Sequence, residues 1–310
     1  MINKNSKIFV AGHKGLVGSS IIRTLKKKGF KKIITIEKKK LDLRNQFKVF
    51  KFIKKKKPSA IIICAAKVGG IKANYKKKAE FIYDNLAIQN NLIHGAYINK
   101  INKLIFLGSS CIYPKFSRQP IKEKYLLEGP LEKTNEPYAI AKIAGVKLCE
   151  SYNDQFNTNY ICLMPSNLFG PNDNYDLQNS HFFPAIIRKL YEAKKKNKKE
   201  VKFWGTGNAM RELTFVDEVA EACIFFLNKN IKHPLINLGS GYERNIKSYI
   251  NFVAKKIGVN SKISFDSNKI FDGAPRKIVD TKIARNYGWR PIFDFNKAFD
   301  ITYADFLKKN

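Results

Sequence analysis

Three side chains have the types and the spacing needed for chemistry at a carbonyl group. Tyr138 and Lys142 are four residues apart, so they would share one face of a helix. The ammonium group would lower the pKa of the phenol, making it a usable proton donor, and would also reach a ribose hydroxyl. Ser109 ends an apolar segment and would hydrogen-bond the same carbonyl oxygen, on which negative charge develops as hydride arrives. Together these residues predict a hydride-transfer site.

A glycine-rich segment near the start of the chain indicates where the hydride donor would bind. Residues 12–18 read Gly-His-Lys-Gly-Leu-Val-Gly and lie between a strand-like stretch and a helical pattern. The first two glycines permit a tight turn and a close approach of backbone amides to a pyrophosphate, and the third permits close packing of helix on strand. We expect dinucleotide contacts throughout this turn, from Gly12, His13, Lys14, Gly15, Leu16, Val17 and Gly18.

The residues that follow the second predicted strand bear on which dinucleotide is bound. A carboxylate at this place would bond the ribose 2′-hydroxyl of NAD, whereas the 2′-phosphate of NADP needs cations. Glu37 is followed directly by three lysines, Lys38, Lys39 and Lys40. The lysines favour NADP(H), with Lys38 as a contact, although Glu37 would serve NAD if it pointed into the site.

The elements that must position these residues follow a βαβ rhythm, in which short β-branched runs alternate with longer amphipathic stretches. The predicted strands of the first half are residues 7–12, 31–37, 60–66, 103–110 and 160–167. The predicted helices are residues 16–28, 45–55, 79–99 and 138–156. Runs such as Ile61-Ile62-Ile63 are apolar at consecutive positions, as in strands covered on both faces. The pattern predicts an α/β fold built on a doubly wound parallel Rossmann sheet.

The pattern changes after residue 167, where loops rich in Pro and Asn begin. Helices are predicted at residues 184–196, 217–227, 248–257 and 295–307, with strands at 201–204 and 235–238. We therefore expect an NADP-binding Rossmann domain over residues 1–167. Residues 168–310 would form mainly a smaller, interleaved substrate-binding lobe, with segments that return to the first domain.

Five segments carry a resemblance to a known family: residues 65–71, 107–114, 135–145, 179–181 and 210–212. With the glycine turn and the Ser/Tyr/Lys set, they resemble the GDP-L-fucose synthase family of the extended short-chain dehydrogenase/reductase superfamily, over essentially the whole chain. The resemblance implies 3,5-epimerisation and NADPH-dependent 4-keto reduction of GDP-4-keto-6-deoxy-D-mannose to GDP-L-fucose. It also implies a homodimer formed through two helices of the first domain, for which residues 79–99 and 138–156 are candidates.

The resemblance implies further site residues. Cys111 and His181 stand at the positions of the epimerisation base and acid, in either order of action, and an extended chain would turn Cys111 to the same side as Ser109. Without the resemblance, Cys111 is more simply interpreted as a buried thiol and His181 as a loop histidine. Trp204 is then as easily a core residue as a substrate contact. The implied nicotinamide-side contacts are Leu107, Gly108, Ser109, Ser110, Lys142, Pro165, Ser166, Asn167, Leu168 and His181. The implied substrate contacts are Lys189, which replaces an arginine of the family, together with Trp204, Arg211 and Asp272, and Lys277 is a further cation for an anionic ligand.

Related chemistries remain as alternatives. An NDP-sugar 4-epimerase, 4,6-dehydratase or reductase would use the same fold, cofactor turn and Tyr/Lys pair. Dehydratases of this kind place an Asp-Glu pair after the strand-end Ser or Thr, whereas this chain has Ser110-Cys111-Ile112. A simple 4-epimerase needs no counterpart of Cys111 and His181. A catalytically inactive regulator is disfavoured because no expected catalytic residue is missing.

Composition limits the remaining function classes. The formal charge of +33 raises the alternative of a nucleic-acid-binding protein, yet only nine of the 58 Lys and Arg residues are arginines and the lysines are scattered, so no specific nucleic-acid partner is expected. No apolar run approaches the roughly 18 residues of a membrane helix, and no signal-peptide pattern precedes the first strand. We expect a cytoplasmic protein without membrane contact. The five cysteines lack paired spacing, which predicts reduced thiols and no metal site.

Overall fold

A six-stranded parallel sheet forms the centre of the protein. The computed structural model describes residues 2–266, 273–292 and 294–309, with the side chains of Ile71 and Lys72 left aside. The strand order is β2-β1-β3-β4-β5-β9, and all neighbours are parallel. The strands are β1 (Ile8–Ala11), β2 (Ile33–Ile34), β3 (Ala60–Ile63), β4 (Lys103–Leu107), β5 (Asn159–Pro165) and β9 (Leu235–Leu238).

Helices cover both faces of this sheet. They are α1 (Leu16–Lys27), α2 (Gln46–Lys56), α3 (Ile71–Lys76), α4 (Lys78–Ile98), α5 (Glu136–Phe156) and α7 (Val216–Leu227). Alternate residues of β1 pack into different apolar clusters, one on each face of the sheet. Phe9 lies in the cluster with α2, α4 and α5, and Ile8 and Val10 lie in the cluster with α1 and α7. Both sides of the strands are therefore buried, which is why they read as continuous apolar runs. The predicted doubly wound α/β fold is confirmed.

The second half of the chain builds a smaller lobe around a short mixed sheet. The strands of this sheet are β6 (Asn167–Phe169), β8 (Met210–Phe215), β10 (Glu243–Asn245) and β12 (Arg276–Lys277), whereas β7 (Glu200–Phe203) and β11 (Lys262–Phe265) form a separate two-stranded sheet. The helices of the lobe are α6 (Phe182–Lys195), α8 (Ile246–Ile257) and α10 (Phe295–Leu307), whereas α9 (Lys282–Asn286) packs against β9 of the central sheet. Strand β8 is central, because β6, β10 and β12 all pair with it. A third apolar cluster, rich in phenylalanine, lies among α6, α8 and α10.

The predicted helices and strands are found, with shifts at their ends. Strand β2 is the largest difference, since only two of the seven predicted residues pair with β1. Strand β9 follows the expected boundary at residue 167 and yet lies in the central sheet beside β5, so the two halves are interleaved. The division at that residue stays a prediction. No helix within the described ranges combines the length and apolar character required to cross a membrane.

The topology brings the candidate residues to one edge of the sheet. Strands β1 and β3 are neighbours, and the chain leaves them toward opposite faces, through α1 and through α3 and α4. Such a switch point opens a crevice at the carboxyl ends of the strands, where open α/β sheets bind ligands. Strands β1, β3, β4 and β5 end at Ala11, Ile63, Leu107 and Pro165. Each end leads into a segment singled out from the sequence.

Candidate active site

The glycine turn joins β1 to α1 at the switch point, and its three glycines differ in what a side chain at each would contact. Gly12 has φ +87°, and a Cβ there would lie 2.6 Å from the amide nitrogen of Ala65. A Cβ on Gly18 would lie 2.1 Å from the carbonyl oxygen of Gly12, so α1 packs directly on the turn. A Cβ on Gly15 would have only an ordinary contact, at 3.6 Å from the same oxygen. The space in front of Gly15 is therefore open.

The start of α1 has the properties of a pyrophosphate site. Gly15 is the N-cap and supplies no side-chain acceptor to the first-turn amides, and the first turn, fully described, holds no acidic residue. Those amides have no acceptor within the helix, and the helix dipole makes this end attractive to anions. The open cradle and the uncapped amides fit the diphosphate of a dinucleotide.

The residues near the adenosine end of such a dinucleotide form an ion pair. Lys14 in the turn lies 2.6 Å from the carboxylate of Glu37, which follows β2, and this lysine lowers the pKa of Glu37. Lys38, Lys39 and Lys40 are exposed beside it. Because Glu37 is already paired with a cation, the local charge is net positive, as a 2′-phosphate requires. Burial and the Lys14 charge together lower the pKa of His13.

Ser109 and Cys111 follow the end of β4 on a tight turn. The side chain of Ser109 caps a short 3-10 helix, Ser110–Ile112, and accepts a hydrogen bond from the amide of Cys111 at 3.4 Å. The expected extended conformation over residues 109–111 is thus wrong, because the serine cap closes the chain into a helical turn. Cys111 is 6% exposed. The turn, and not strand alternation, brings its thiol beside α5.

Lys142 and Tyr138 lie on the same side of α5, against the end of β4. The Nζ of Lys142, a residue only 3% exposed, donates a hydrogen bond to the carbonyl oxygen of Leu107 at 2.8 Å. It lies 4.6 Å from the ring centroid of Phe106 and 5.8 Å from that of Tyr138. Burial lowers the pKa of Lys142 to about 8, against the opposite effect of nearby Cys111.

The phenol of Tyr138 behaves differently from the expectation. Burial, with a smaller contribution from Cys111, raises its pKa, so desolvation and not the Lys142 charge sets the direction of the shift here. Tyr138 is half-buried, and the desolvation penalty on a phenolate there exceeds the attraction of a cation. Tyr138 therefore keeps its proton at neutral pH, which is the form that can donate it.

His181 is the N-cap of α6 and reaches the same crevice from the second lobe. Its side chain is solvent-accessible on the crevice wall, yet enough protein surrounds it that partial desolvation, together with Lys277, lowers its pKa. The loop before it rests on Gly70, whose amide donates to the carbonyl oxygen of Asn179 at 3.0 Å. A Cβ on Gly70 would lie 2.5 Å from the carbonyl oxygen of Ser180. The glycine thus lets the His181 loop approach α3.

Lys277 has electrostatic interactions with residues of both lobes. It pairs in register with Arg211 across β12 and β8. Burial lowers its pKa, Cys111 and Glu132 raise it, and Arg211 lowers it further. Since His181 also senses its charge, one lysine lies within electrostatic range of both predicted epimerisation residues and of the predicted diphosphate arginine. The folded chain therefore gathers these residues around one crevice.

Of the predicted substrate residues, Lys189, Trp204 and Arg211 lie in the second lobe. Arg211 donates from Nη1 to the carbonyl oxygen of Ala274 at 2.7 Å. Trp204 is 52% exposed, which excludes the core-packing interpretation. Lys189 lies 6.0 Å from the Trp204 ring and hydrogen-bonds the carbonyl of Lys202, and burial lowers its pKa. Asp272 lies outside the described residues.

The nicotinamide-side segments are held tightly. Gly108 donates to the carbonyl oxygen of Leu163 at 2.9 Å, and a Cβ there would meet the Met164 side chain at 2.1 Å. Ser166 and Asn167 follow the end of β5, where Ser166 lies 2.7 Å from the hydroxyl of Thr214. These segments place the predicted contacts Leu107–Ser110 and Pro165–Leu168 on one edge of the sheet.

Two carboxylates near the crevice were missed from the sequence. Glu132 influences Lys277 from the loop before α5, a loop with no pattern that would have revealed it. Glu212 is fully buried next to Arg211, and its position in the segment 210–212 was interpreted only for the arginine. The other histidines lie elsewhere: His94 bonds Tyr152 at 2.5 Å between α4 and α5, and His233 is exposed. The described residues hold no cluster of His, Cys, Asp or Glu suited to a metal.

Comparison with known proteins agrees with this geometry. The family model described as "NAD dependent epimerase/dehydratase family" matches residues 8–239. The chain is 46% identical to GDP-L-fucose synthase 1 of Arabidopsis thaliana, over 99% of this chain and 95% of the relative. The structure is similar to a GDP-mannoheptose C4 reductase of Campylobacter jejuni with NADP bound, with 34% identity, TM-score 0.91, and 99% and 100% of the two chains covered.

A second solved structure extends the comparison. It is a GDP-L-fucose synthetase of Naegleria fowleri bound to NADP, 26% identical, with a TM-score of 0.89 and coverage of 100% of this chain and 96% of that chain. Both the sequence match and the structural match extend from the glycine turn into the second lobe. The chain belongs to the NAD dependent epimerase/dehydratase family and, within it, to the GDP-L-fucose synthases.

Proposed function

We propose that this protein uses NADPH to convert GDP-4-keto-6-deoxy-D-mannose to GDP-L-fucose, by epimerisation at carbons 3 and 5 followed by reduction of the 4-ketone. The observation that carries the proposal is the crevice at the end of β4, where Cys111 lies beside Tyr138 and Lys142 and where Lys277 is within electrostatic range of both Cys111 and His181. A reductase alone would need only the Ser/Tyr/Lys set. The added thiol and imidazole are the groups an epimerisation requires.

The proposed cofactor site fits the dinucleotide implied by the family. The uncapped start of α1 would bind the pyrophosphate, and Lys14 and Lys38 would face the 2′-phosphate. When bound there, NADPH supplies the hydride for carbon 4. Lys142, fixed against β4, would hydrogen-bond the ribose, and His181 would border the nicotinamide end.

Epimerisation depends on the acidity of hydrogens next to a ketone. Carbons 3 and 5 both flank the 4-ketone, so removal of a proton from either gives an enolate whose charge lies on the carbonyl oxygen. We assign the removal and return of these protons to Cys111 and His181, acting from opposite faces of the sugar. Ser109 and Tyr138 would donate hydrogen bonds to the enolate oxygen, and Lys277 would add positive charge near it.

Reduction uses the same oxygen contacts. As hydride reaches carbon 4, the carbonyl oxygen takes up negative charge and needs a proton. Tyr138, whose pKa is raised by burial, is protonated and in position to give that proton. Proton transfer leaves a phenolate on Tyr138, and the nearby Lys142 ammonium would stabilise it. A pocket without a cation would not stabilise this phenolate.

The second lobe would bind the GDP part of the substrate. Arg211 is suited to the diphosphate because its planar guanidinium can bond two oxygens at once. Lys189 would take the place of a second arginine, as a single point charge beside Trp204. Asp272 remains a proposed contact from the resemblance alone.

We further propose a homodimer formed through α4 and α5, which pack together and expose apolar side chains including Tyr83, Ile98, Ile140 and Phe156. Two such helices from each copy would bury these residues in a four-helix arrangement. Analytical ultracentrifugation of Ile140→Asp beside the unmodified protein tests this, and a dimer that persists unchanged argues against this face. Cytoplasmic location and the lack of a specific nucleic-acid partner stay predictions.

The function is tested by incubating the purified protein with GDP-4-keto-6-deoxy-D-mannose and NADPH in D2O. We expect loss of the reduced-cofactor absorbance, deuterium at carbons 3 and 5, and L-fucose stereochemistry in the product. Oxidation of NADPH without deuterium incorporation would instead indicate a C4 reductase, the activity named for the Campylobacter jejuni structure. If NADPH is not oxidised, the proposed function is wrong.

A further inference from the structure

Glu212 is fully buried in β8, between the second lobe and the carboxyl edge of the central sheet. Its Oε1 accepts a hydrogen bond from the amide of Gly241 at 2.7 Å, and its Oε2 accepts one from the amide of Val279 at 3.1 Å. Its backbone carbonyl accepts a bond from the Asn167 side chain at 3.0 Å. One residue therefore joins β8 to three separate segments of chain.

The carboxylate fits its space closely. A Cβ on Gly239, in the segment that follows β9, would lie 2.4 Å from Oε1 and 2.8 Å from Oε2. Gly239 is thus a residue whose lack of a side chain leaves room for the Glu212 carboxylate. A single added methyl group would displace it, without any change in charge.

Glu212 belongs to a polar cluster on one face of β8. Thr214 lies two residues on, and therefore on the same face, and its hydroxyl accepts the amide of Ser240 at 3.0 Å. The hydroxyl of Ser166 lies 2.7 Å from that of Thr214 and is close enough to the Glu212 carboxylate to lower its pKa slightly. Leu213 and Phe215 face the other way, into the core of the second lobe. The polar face of β8 is thus directed at the loop that follows β5.

The chemistry of the site favours a carboxylate over a neutral side chain of the same shape. The amides of Gly241 and Val279 donate to different oxygens of the Glu212 carboxylate. A glutamine here would offer only one acceptor oxygen, so its NH2 group would face one of the two backbone N–H groups. Burial raises the pKa of Glu212 to about 7, whereas the two amides act in the opposite direction. A buried carboxyl group, charged or neutral, is costly to remove from water, so its presence calls for a role beyond filling space.

The positions of its partners suggest that role. Ser166 and Asn167 lie on the nicotinamide side of the crevice. Arg211 precedes Glu212 in β8, and Val279 follows Lys277 by two residues, so these ties reach the cations on the substrate side. We propose that Glu212 is a positioning residue, which holds the GDP-sugar side of the crevice at a fixed distance from the nicotinamide side. The inference rests on the proposed function for its two activities.

This role predicts an unequal loss of those activities. Hydride transfer needs both sides aligned, because reacting atoms must approach within about 3–3.5 Å and a displacement of 1 Å can cost about 100-fold in rate. Proton exchange at carbons 3 and 5 uses Cys111, His181 and the Ser109 and Tyr138 contacts to the enolate oxygen. It does not require the nicotinamide, and Glu212 bonds to none of these four residues. Loss of Glu212 should therefore slow reduction much more than exchange.

The experiment compares Glu212→Gln and Gly239→Ala with the unmodified protein, by measuring NADPH oxidation and deuterium exchange into the keto-sugar under the same conditions. We expect reduction to fall at least 10-fold and exchange less than 3-fold in both variants. The double variant should be little worse than either single one, because both changes remove the same contact. Tyr249→Phe is the control, since it removes a buried hydroxyl that donates to the carbonyl oxygens of Arg211 at 3.0 Å and Tyr242 at 3.3 Å and not to the Glu212 carboxylate. It should leave the ratio of the two rates unchanged.

An equal fall in both rates, or no fall, in the Glu212 and Gly239 variants overturns the inference. If the unmodified protein shows neither activity, the proposed function fails, and amide hydrogen exchange then tests Glu212 separately. The amides of Gly241 and Val279 should exchange at least 10-fold faster in Glu212→Gln and Gly239→Ala than in Tyr249→Phe. Unchanged exchange of both amides would show that Glu212 does not hold these segments.

Discussion

The ammonium nitrogen of Lys142 lies 2.8 Å from the carbonyl oxygen of Leu107, the last residue of β4. This hydrogen bond fixes α5 against the strand end from which Ser109 and Cys111 project. The same nitrogen lies 5.8 Å from the centroid of the Tyr138 ring. Burial raises the pKa of Tyr138 and keeps the phenol protonated, and the lysine remains available to a ribose.

The lowered pKa of Lys142 predicts the high-pH side of the activity profile. Below its pKa of about 8 the ammonium is present, and as pH rises through that value the charge is lost. We expect kcat/KM for the keto-sugar to fall above about pH 8. Lys142→Arg, which stays charged, should move this fall to higher pH, whereas Lys142→Met should lower kcat about 100-fold at neutral pH. An unchanged fall in Lys142→Arg would assign the titration to another group.

The cysteines offer a matched pair for testing the epimerisation base. Cys111→Ala should reduce deuterium incorporation at carbon 3 or 5 by at least about 100-fold, since a base in the transition state contributes about that much. The affinity for NADPH should stay within two-fold. Cys64→Ala is the control, because burial raises the pKa of Cys64 to about 12 and keeps that thiol protonated. Equal rates in the two variants would remove Cys111 from the mechanism, and His181→Asn can be judged by the same measurement.

Two glycines of the turn should respond differently to a methyl group. Gly15→Ala should leave the thermal midpoint within a few degrees, because its Cβ would make only an ordinary contact, but should weaken NADPH binding at least 10-fold by filling the cradle. Gly18→Ala should destabilise the fold by about 1–3 kcal/mol, because its Cβ would clash with the Gly12 carbonyl. Thermal unfolding and fluorescence titration with NADPH measure the two effects. Unchanged NADPH affinity in Gly15→Ala would place the pyrophosphate elsewhere.

The ion pair between Lys14 and Glu37 should limit the preference for NADPH over NADH. In Glu37→Gln the lysine is released and a negative charge near the 2′-phosphate is lost, so the dissociation constant for NADPH should fall roughly three-fold. That for NADH should change less, and Lys14→Met should weaken NADPH binding. Both effects should shrink at high salt, because the pair is exposed. A marked loss of NADH affinity in Glu37→Gln would show that Glu37 holds the ribose of NAD.

Much of the first half of the molecule could be predicted because its signals are local. A run such as Ile61-Ile62-Ile63 indicates a buried parallel strand, and glycines at residues 12, 15 and 18 meet the steric needs of one turn. The second half was harder. Strand β12 has two residues and exists only because it pairs with β8, so no periodicity within it could reveal a strand.

The doubly wound sheet, the cofactor turn and the residue types for carbonyl chemistry could all be predicted from the sequence, since each depends on short-range patterning. The pKa values of the site residues and the distances between them depend on the tertiary structure. Burial reversed the expected pKa shift of Tyr138, a serine cap turned Cys111 toward α5, and the fold brought Lys277 close to His181 and Arg211. Glu212 showed its role only in the folded chain, because its partners are distant in sequence. Desolvation and long-range contacts are properties of the packed molecule, and no local pattern encodes them.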